Sequence, residues 1–139
     1  MKHTFFPTLL LTTVLAVASC TTTKSAYSLA GEWDVTMING TRVKPVADVT
    51  PFLGFDLNEG HVYGFTGCNR LTGSIDAKAL ANGKADFSRM GSTRMLCHDD
   101  SYERPFLDAL GKACRSTLAG DSLQLMDKSG NVLVTLHKR

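Results

Sequence analysis

Gly64-Phe65-Thr66-Gly67-Cys68-Asn69-Arg70-Leu71-Thr72-Gly73-Ser74 (residues 64–74) is a stretch dense in glycine near the middle of the chain. Glycine permits positive φ angles and the close approach of another backbone, so the stretch predicts a bend or bulge next to strands. Asn69 suits such a bend because its side chain can bond a neighbouring peptide group. We therefore expect short strands on either side of it.

Paired runs of alternating apolar and polar residues surround this bend and predict hairpins. Residues 52–57 and 61–65 flank Asn58-Glu59-Gly60, and residues 71–76 and 84–88 flank Asn82-Gly83. Nearer the start of the chain, Trp33, Val35 and Met37 alternate with polar neighbours ahead of Asn39-Gly40. Towards the other end, residues 122–126 and 132–136 flank a turn at 128–131. Period-two alternation separated by such turns is typical of antiparallel strands.

One segment changes to a helical period. Its apolar residues Tyr102, Phe106, Leu107, Leu110 and Ala113 have helical spacing, and Asp99, Asp100 or Ser101 could cap its start. The expected fold class is α+β and mostly β, with a strongly curved antiparallel sheet or small barrel of about seven or eight strands and one helix. Periodicity alone leaves open whether that helix closes a barrel or covers one face of an open sheet.

The first twenty residues predict export and a lipid anchor. An apolar leader ends in Leu15-Ala16-Val17-Ala18-Ser19-Cys20, and Lys2 is its one charged residue. The last residues of this leader resemble the lipobox of bacterial lipoproteins, in which the cysteine thiol is acylated and cleavage falls before it. The alternative is an ordinary secretory signal that leaves Cys20 unmodified or removed. We expect a removed signal peptide at 1–19, a flexible tether at 20–28 and one domain at 29–139.

The expected location is the cell envelope, with the acyl group inserted in a membrane. Several acyl chains on one cysteine hold a protein firmly, whereas a single chain binds only marginally. Thr21 stands where some bacteria use aspartate to retain lipoproteins at the inner membrane, so we expect the outer membrane rather than the inner one.

Composition argues against several classes of partner. The formal net charge is +2, and the basic residues are scattered among acidic ones, so we expect no nucleic-acid partner. Cys97-His98-Asp99-Asp100 contains metal-ligating residue types, but four adjacent residues cannot all face one ion and no second ligand pair accompanies them. We predict no metal and no cofactor.

Four elements in a fixed order carry a family resemblance. They are a Gly-Cys-Asn-Arg-x-x-Gly element, a Thr-Arg-Met-x-Cys element, a Phe-Leu-x-x-Leu helix and a terminal Gly-Asp-x-Leu-x-Leu hairpin, within Leu29 to Leu136. In this order they resemble the META domain family, whose bacterial members include HslJ-type heat-inducible lipoproteins. The motif residues here are Gly67, Cys68, Asn69, Arg70, Gly73, Thr93, Arg94, Met95 and Cys97.

The resemblance implies a curved, barrel-like sheet with one helix, related in architecture to the pilotins of secretion systems. It implies no agreed enzymatic activity, and it links the chain in general terms to envelope stress, drug tolerance and virulence. Cys114 lies outside the matched elements, and we expect it to be a buried core thiol.

Cys68 and Cys97 occupy the two cysteine positions of those motifs. In an oxidising envelope they are expected to form a disulfide, and the alternative is two buried thiols that pack as small hydrophobic side chains. Arg70 and Arg94 could hold an anion together, although ion pairs with acids such as Asp76 or Asp86 are the more ordinary expectation.

The residues predict a non-enzymatic, lipid-anchored envelope protein that acts by binding or supporting an envelope component, a protein partner. This function requires an exposed apolar patch or groove, and Phe52, Phe55, Tyr63 and Phe65 are the candidates. One alternative is a carrier of a lipid or other apolar ligand, which needs an interior cavity. A weaker alternative is a thiol enzyme or redox protein that uses Cys68 and Asn69 with His61 or His98.

Overall fold

The computed structural model describes residues 28–96 and 102–139. Within them lie two helices, α1 (Ala77–Ala81) and α2 (Glu103–Lys112). The strands are β1 (Gly31–Ile38), β2 (Thr41–Arg42), β3 (Phe52–Asp56), β4 (His61–Phe65), β5 (Arg70–Ser74), β6 (Met90–Ser92), β7 (Arg115–Ala119), β8 (Ser122–Met126) and β9 (Val132–Lys138).

All nine strands of the described part form one antiparallel sheet. Its order is β6-β5-β4-β3-β1-β9-β8-β7, and the short β2 pairs with β1. The predicted fold class, α+β and mostly β, is confirmed. Among the described residues β6 and β7 stand at the two ends of the order without pairing to each other, so the sheet is open. It has nine strands where about seven or eight were expected.

One face of the sheet carries the core, and we call it the inner face. Leu53, Val62 and Leu71 on β3 to β5 and Leu123 and Leu125 on β8 are all buried there. Helix α2 packs against β1 and β9 and buries Phe106, Ala109 and Leu110. The opposite, outer face of β3 to β5 carries Phe52, Tyr63 and Thr72, because successive side chains of a strand point to opposite faces.

A bulge in β1 changes which of its residues face the core. Trp33 and Val35 are buried as predicted, but the pairing with β9 shifts between Val35 and Met37. An extra residue in one strand reverses the alternation beyond it. As a result Ile38 is buried, while Met37, predicted to continue the inward series, is only half-buried.

The prediction of a single helix was wrong, because a second one, α1, follows β5. Three of its five residues are alanine, the strongest helix former, and the Asp76 carboxylate caps it by accepting a hydrogen bond from the Ala79 backbone N–H at 2.9 Å. The predicted hairpin of residues 71–76 with 84–88 is therefore also wrong. Instead β5 pairs with β6, and Leu80 of α1 is buried in the core.

Helix α2 begins at Glu103 with Tyr102 at the N-cap, and the Tyr102 side chain makes no capping bond. The caps predicted for it, Asp99, Asp100 and Ser101, lie outside the described residues. Among the described residues, neither helix has the length and apolar character needed to cross a membrane.

Gly64 on β4 is expected to reject a side chain. A Cβ at this position would overlap the backbone carbonyl oxygen of Phe52 on β3 and lie 3.1 Å from Leu53 Cδ2. Because backbone atoms of a central strand cannot move aside cheaply, Gly64→Ala should lower the free energy of unfolding by about 2 kcal/mol. Urea denaturation measures this loss.

Gly111 is the matched control, since nothing lies within 4 Å of a Cβ built there and it sits in α2. Gly111→Ala should raise the free energy of unfolding by about 0.5–1 kcal/mol, the difference in helix propensity. Equal effects of the two substitutions would contradict the close approach of β3 to Gly64.

Candidate functional site

The turn between β4 and β5 is held by Thr66. The Thr66 hydroxyl oxygen accepts hydrogen bonds from the backbone N–H groups of Cys68 at 3.2 Å and Asn69 at 2.9 Å. Gly67 has φ +100, a value that favours glycine, and a Cβ there would lie 3.2 Å from Val46 Cγ2. The predicted bend is therefore a tight turn that requires glycine at one position.

Asn69 ties this turn to two other segments. It is 3% exposed, and its side-chain nitrogen Nδ2 donates to both carboxylate oxygens of Glu103 at 2.8 Å. Its carbonyl oxygen Oδ1 accepts from the Thr93 hydroxyl at 2.9 Å and from the Met95 backbone N–H at 2.7 Å. We call the set Thr66, Asn69, Thr93, Met95 and Glu103 the Asn69 junction.

The structure brings the two predicted motif elements together at this junction. Thr93 N–H donates to the Arg70 carbonyl oxygen at 3.0 Å, which extends the ladder between β5 and β6. Gly73 allows the same approach further along, since a Cβ there would overlap the Arg89 carbonyl oxygen and lie 2.8 Å from Met90 Cα. These motif residues therefore hold backbone segments together.

Sequence reasoning missed Glu103 and Thr66 as members of this group. An acidic residue in the first turn of a helix is a common feature that complements the helix dipole. Nothing in such a pattern indicates a partner 34 residues away along the chain.

Cys68 is buried, with its sulfur 3.6 Å from Asn69 Nδ2 and 3.9 Å from the Met95 carbonyl oxygen. It is not a free thiol, and the free cysteine among the described residues is Cys114. Cys97, the predicted disulfide partner, lies outside the described residues, as do Cys20 and the His98-Asp99-Asp100 segment. The pairing of Cys68 with Cys97 stays a prediction.

The expectation of a buried Cys114 was wrong, because its side chain is exposed. Helix α2 ends at Lys112, and the next residue, Ala113, adopts an extended conformation and is buried. Because successive side chains of an extended chain point to opposite sides, Cys114 points away from the core while its neighbour Ala113 points into it. The chain then continues into β7.

His61 lies away from Cys68. His61 occupies the first position of β4, and Cys68 lies beyond its last position. The length of β4, about 13 Å along the strand axis, therefore separates the two residues. The Nε2 atom of His61 is 2.8 Å from the Thr72 hydroxyl oxygen. With Asn69 bonded to Glu103 and Thr93, this geometry does not assemble the Cys68, Asn69 and His61 set of a thiol hydrolase.

Arg70 and Arg94 do not form the expected ion pairs. Both side chains are exposed, and the ion pairs within the described residues join Arg139 to Glu32 and Asp34. The Asp76 carboxylate caps α1, and hydrogen bonds from Ser88 hold the pKa of Asp86 below its usual range. The expected acidic partners are therefore engaged elsewhere.

Aromatic side chains do share the outer face, as the binding hypothesis requires. Phe52 and Tyr63 pack edge to face with ring centroids 6.3 Å apart, and the Tyr63 ring covers Gly54 on the neighbouring strand. Phe65 lies beside Phe52 on the same face. Phe55 was wrongly included, because it points to the inner face and is 2% exposed.

A surface groove of about 520 Å³ runs along these aromatic rings. We call it the outer groove, and its lining includes Phe52, Tyr63, Arg70, Thr72, Gly91 and Thr93. Burial raises the pKa of Tyr63 above its ordinary value, and the neighbouring Glu32 carboxylate raises it further. Tyrosine is already neutral near pH 7, so these shifts leave the Tyr63 hydroxyl as a hydrogen-bonding group beside the apolar rings.

Within residues 28–96 and 102–139, no three His, Cys, Asp or Glu side chains come close enough together to hold a metal ion. The lining of the outer groove itself supplies aromatic, hydroxyl and guanidinium groups.

Comparisons with known proteins agree with this architecture. No curated protein matches the chain significantly. A solved structure described as a DUF4847 family protein from Bacteroides vulgatus is similar with a TM-score of 0.50 and 14% identity, covering 81% of this chain and 94% of that one. At this identity the likeness shows the fold alone. The family model named META domain matches residues 27–139, and the chain belongs to the META domain family.

Proposed function

We propose that this protein is a lipid-anchored component of the cell envelope whose META domain acts without catalysis, by binding a protein partner through the outer groove. The carrying observation is the outer groove, which is lined by the half-buried rings of Phe52 and Tyr63 and by the exposed side chain of Arg70. Aromatic residues and arginine are the side chains enriched in protein interfaces.

The non-catalytic part of the proposal is supported by how the motif residues are used. Asn69 and Thr93 bond within the Asn69 junction, and Cys68 is buried and not a free thiol. Side chains that bond in this way hold backbone segments in place. A catalytic thiol, in contrast, must be accessible and must lie beside a base.

We place binding on the surface and not in the interior. Trp33 and Phe106 are both fully buried and belong to one continuous apolar cluster on the inner face. A carrier of an apolar ligand needs interior space that its own side chains do not fill. The packed cluster therefore favours a surface partner over the carrier hypothesis.

The anchoring part of the proposal is supported by the sequence Leu15-Ala16-Val17-Ala18-Ser19-Cys20. Acylation of Cys20 would hold the domain at a membrane through the tether at 20–28. Thr21 in place of aspartate supports the outer membrane as that site. We further propose that Cys68 and Cys97 are bridged in this oxidising compartment, and that the protein acts in envelope stress or drug tolerance.

Two measurements in cells test the proposal. Cys20→Ala should abolish labelling by a fatty-acid probe and move the protein from the membrane fraction to the soluble fraction. A photo-reactive residue in place of Thr72, on the outer groove, should yield a crosslinked protein adduct. Thr117 on β7 is the matched control, since it is also an exposed threonine on a strand near a sheet edge.

Membrane retention of unlabelled Cys20→Ala would contradict the anchor. The absence of an adduct at Thr72, or an equal adduct at Thr117, would contradict binding through the outer groove.

A further inference from the structure

Strand β6 is a short, open edge of the sheet. It comprises Met90, Gly91 and Ser92, and within the described residues it pairs with β5 alone. Thr93 N–H points toward β5, since it donates to the Arg70 carbonyl oxygen. Because backbone groups alternate in direction along an antiparallel strand, the N–H and C=O of Ser92 point away from β5. They are positioned to pair with an added strand.

Two grooves meet at this edge, one on each face of the sheet. The outer groove reaches Gly91 and Ser92 from the aromatic side. A second groove of about 340 Å³, which we call the inner groove, reaches the same two residues from the other side, between β6 and α2. Its apolar lining includes Leu71, Met90, Leu107 and Leu110.

Gly91 keeps the outer groove open at the edge. It is exposed, and nothing lies within 4 Å of a Cβ built on it. It is paired with Thr72, so a larger side chain at 91 would stand between an added strand and the groove floor. With glycine at position 91, a long side chain from an added strand can reach over β6 into the outer groove.

Positive charge flanks both ends of β6. Arg89 precedes it, Arg94 follows it, and Arg70 lies on the neighbouring strand, all exposed. None of the three forms an ion pair with a described residue. Pairing of β6 with β6 of a second copy in antiparallel fashion would bring Arg89 of one chain toward Arg94 of the other, which like charges disfavour. The complementary occupant is an acidic segment.

We propose that β6 binds an extended segment of the partner protein as an additional strand, with an apolar centre flanked by acidic residues. The residue opposite Ser92 exchanges two backbone hydrogen bonds with it and places an apolar side chain in the inner groove. The residue opposite Gly91 points to the outer groove, and the flanking carboxylates meet the arginines. This inference rests on the proposed function and specifies the chemistry of its partner.

A pair of synthetic peptides tests the inference on the full-length protein in detergent. The probe is a nonapeptide in which valine and threonine alternate between two pairs of glutamates, and the matched peptide carries lysines in place of the glutamates. Fluorescence anisotropy should show binding of the acidic peptide, with the lysine peptide at least about tenfold weaker. Binding by neither peptide, or equal binding by both, overturns the proposal.

Two variants at one position isolate the backbone contact. Ser92→Pro removes the outward N–H without removing a ladder bond to β5, so the fold should persist and peptide binding should be lost. Ser92→Ala retains the N–H and should bind as wild type. Equal peptide binding by the two variants overturns strand addition, and so does self-association that Ser92→Pro abolishes, because the occupant would then be a second copy.

The same variants in cells separate this inference from the proposed function. If the Thr72 adduct forms and Ser92→Pro eliminates it, both the proposed function and strand addition are supported. If the adduct persists in Ser92→Pro, the partner binds the outer groove by another mode and strand addition is wrong. If the acidic peptide binds in solution but no adduct forms in cells, strand addition stands and the proposed partner does not.

Discussion

Replacement of Asn69 by leucine is expected to lower the free energy of unfolding by about 3 kcal/mol, because the substitution removes every side-chain bond at the centre of the Asn69 junction. Leucine has nearly the same size but neither donates nor accepts hydrogen bonds. Glu103 would lose the amide that contacts both its oxygens, and Met95 N–H and the Thr93 hydroxyl would lose their shared acceptor. Urea denaturation of the full chain measures this loss.

Asn58 gives the matched control, since it is an exposed asparagine in the turn between β3 and β4. Asn58→Leu should change stability by less than about 0.5 kcal/mol. Hydrogen exchange should place the main loss of protection in Asn69→Leu at residues 93–95 and the start of α2. A loss of stability below about 1 kcal/mol would mean that solvent replaces these bonds readily and that the junction is not a structural centre.

Removal of Cys68 and Cys97 together should cost about 3–4 kcal/mol of stability in the chain-entropy model, because a bridge between them closes a loop of roughly 30 residues. The double variant Cys68→Ala, Cys97→Ala should therefore unfold at markedly lower urea concentration than the oxidised wild type. The reduced wild type should approach the same value. The measurement is the unfolding midpoint with and without reductant.

Cys114→Ala is the control, because its exposed thiol is free and its loss should change stability by less than about 0.5 kcal/mol. Mass spectrometry after alkylation should find Cys114 modified before reduction, and Cys68 and Cys97 modified only after it. Alkylation of all three thiols without reductant would contradict the bridge.

The predictions for Asn69 and for the Cys68–Cys97 pair both assign the family motifs a structural role. Asn69, Thr93 and Gly73 secure the contacts of β5 with β6 and the segment after it, which places the open edge of β6 between the two grooves. The motif residues thus build the surface that we assign to the partner. Arg70 contributes directly to that surface through its exposed side chain in the outer groove.

Alternation predicted the buried face of the C-terminal hairpin correctly. Leu123 and Leu125 are both fully buried on β8, and β9 pairs with it across the predicted turn. Residues 84–88 alternate equally well and bury Ala85 and Phe87, yet they form no ladder with β5. Alternation identifies the side chains that enter the core, but it does not specify which backbone is their neighbour.

Residue types and local spacing by themselves determined the antiparallel β-rich class, the glycine-dependent turn before Asn69 and the position of α2, because each depends on neighbours within a few residues. The order of four local motifs along the chain indicated the family. Tertiary structure alone decided that Asn69 meets Glu103, that Ile38 and not Met37 is buried, that β6 forms an open edge and that two grooves converge on Gly91 and Ser92. These features arise from contacts between segments far apart in the chain, and they depend on strand order and on a bulge that local periodicity does not encode.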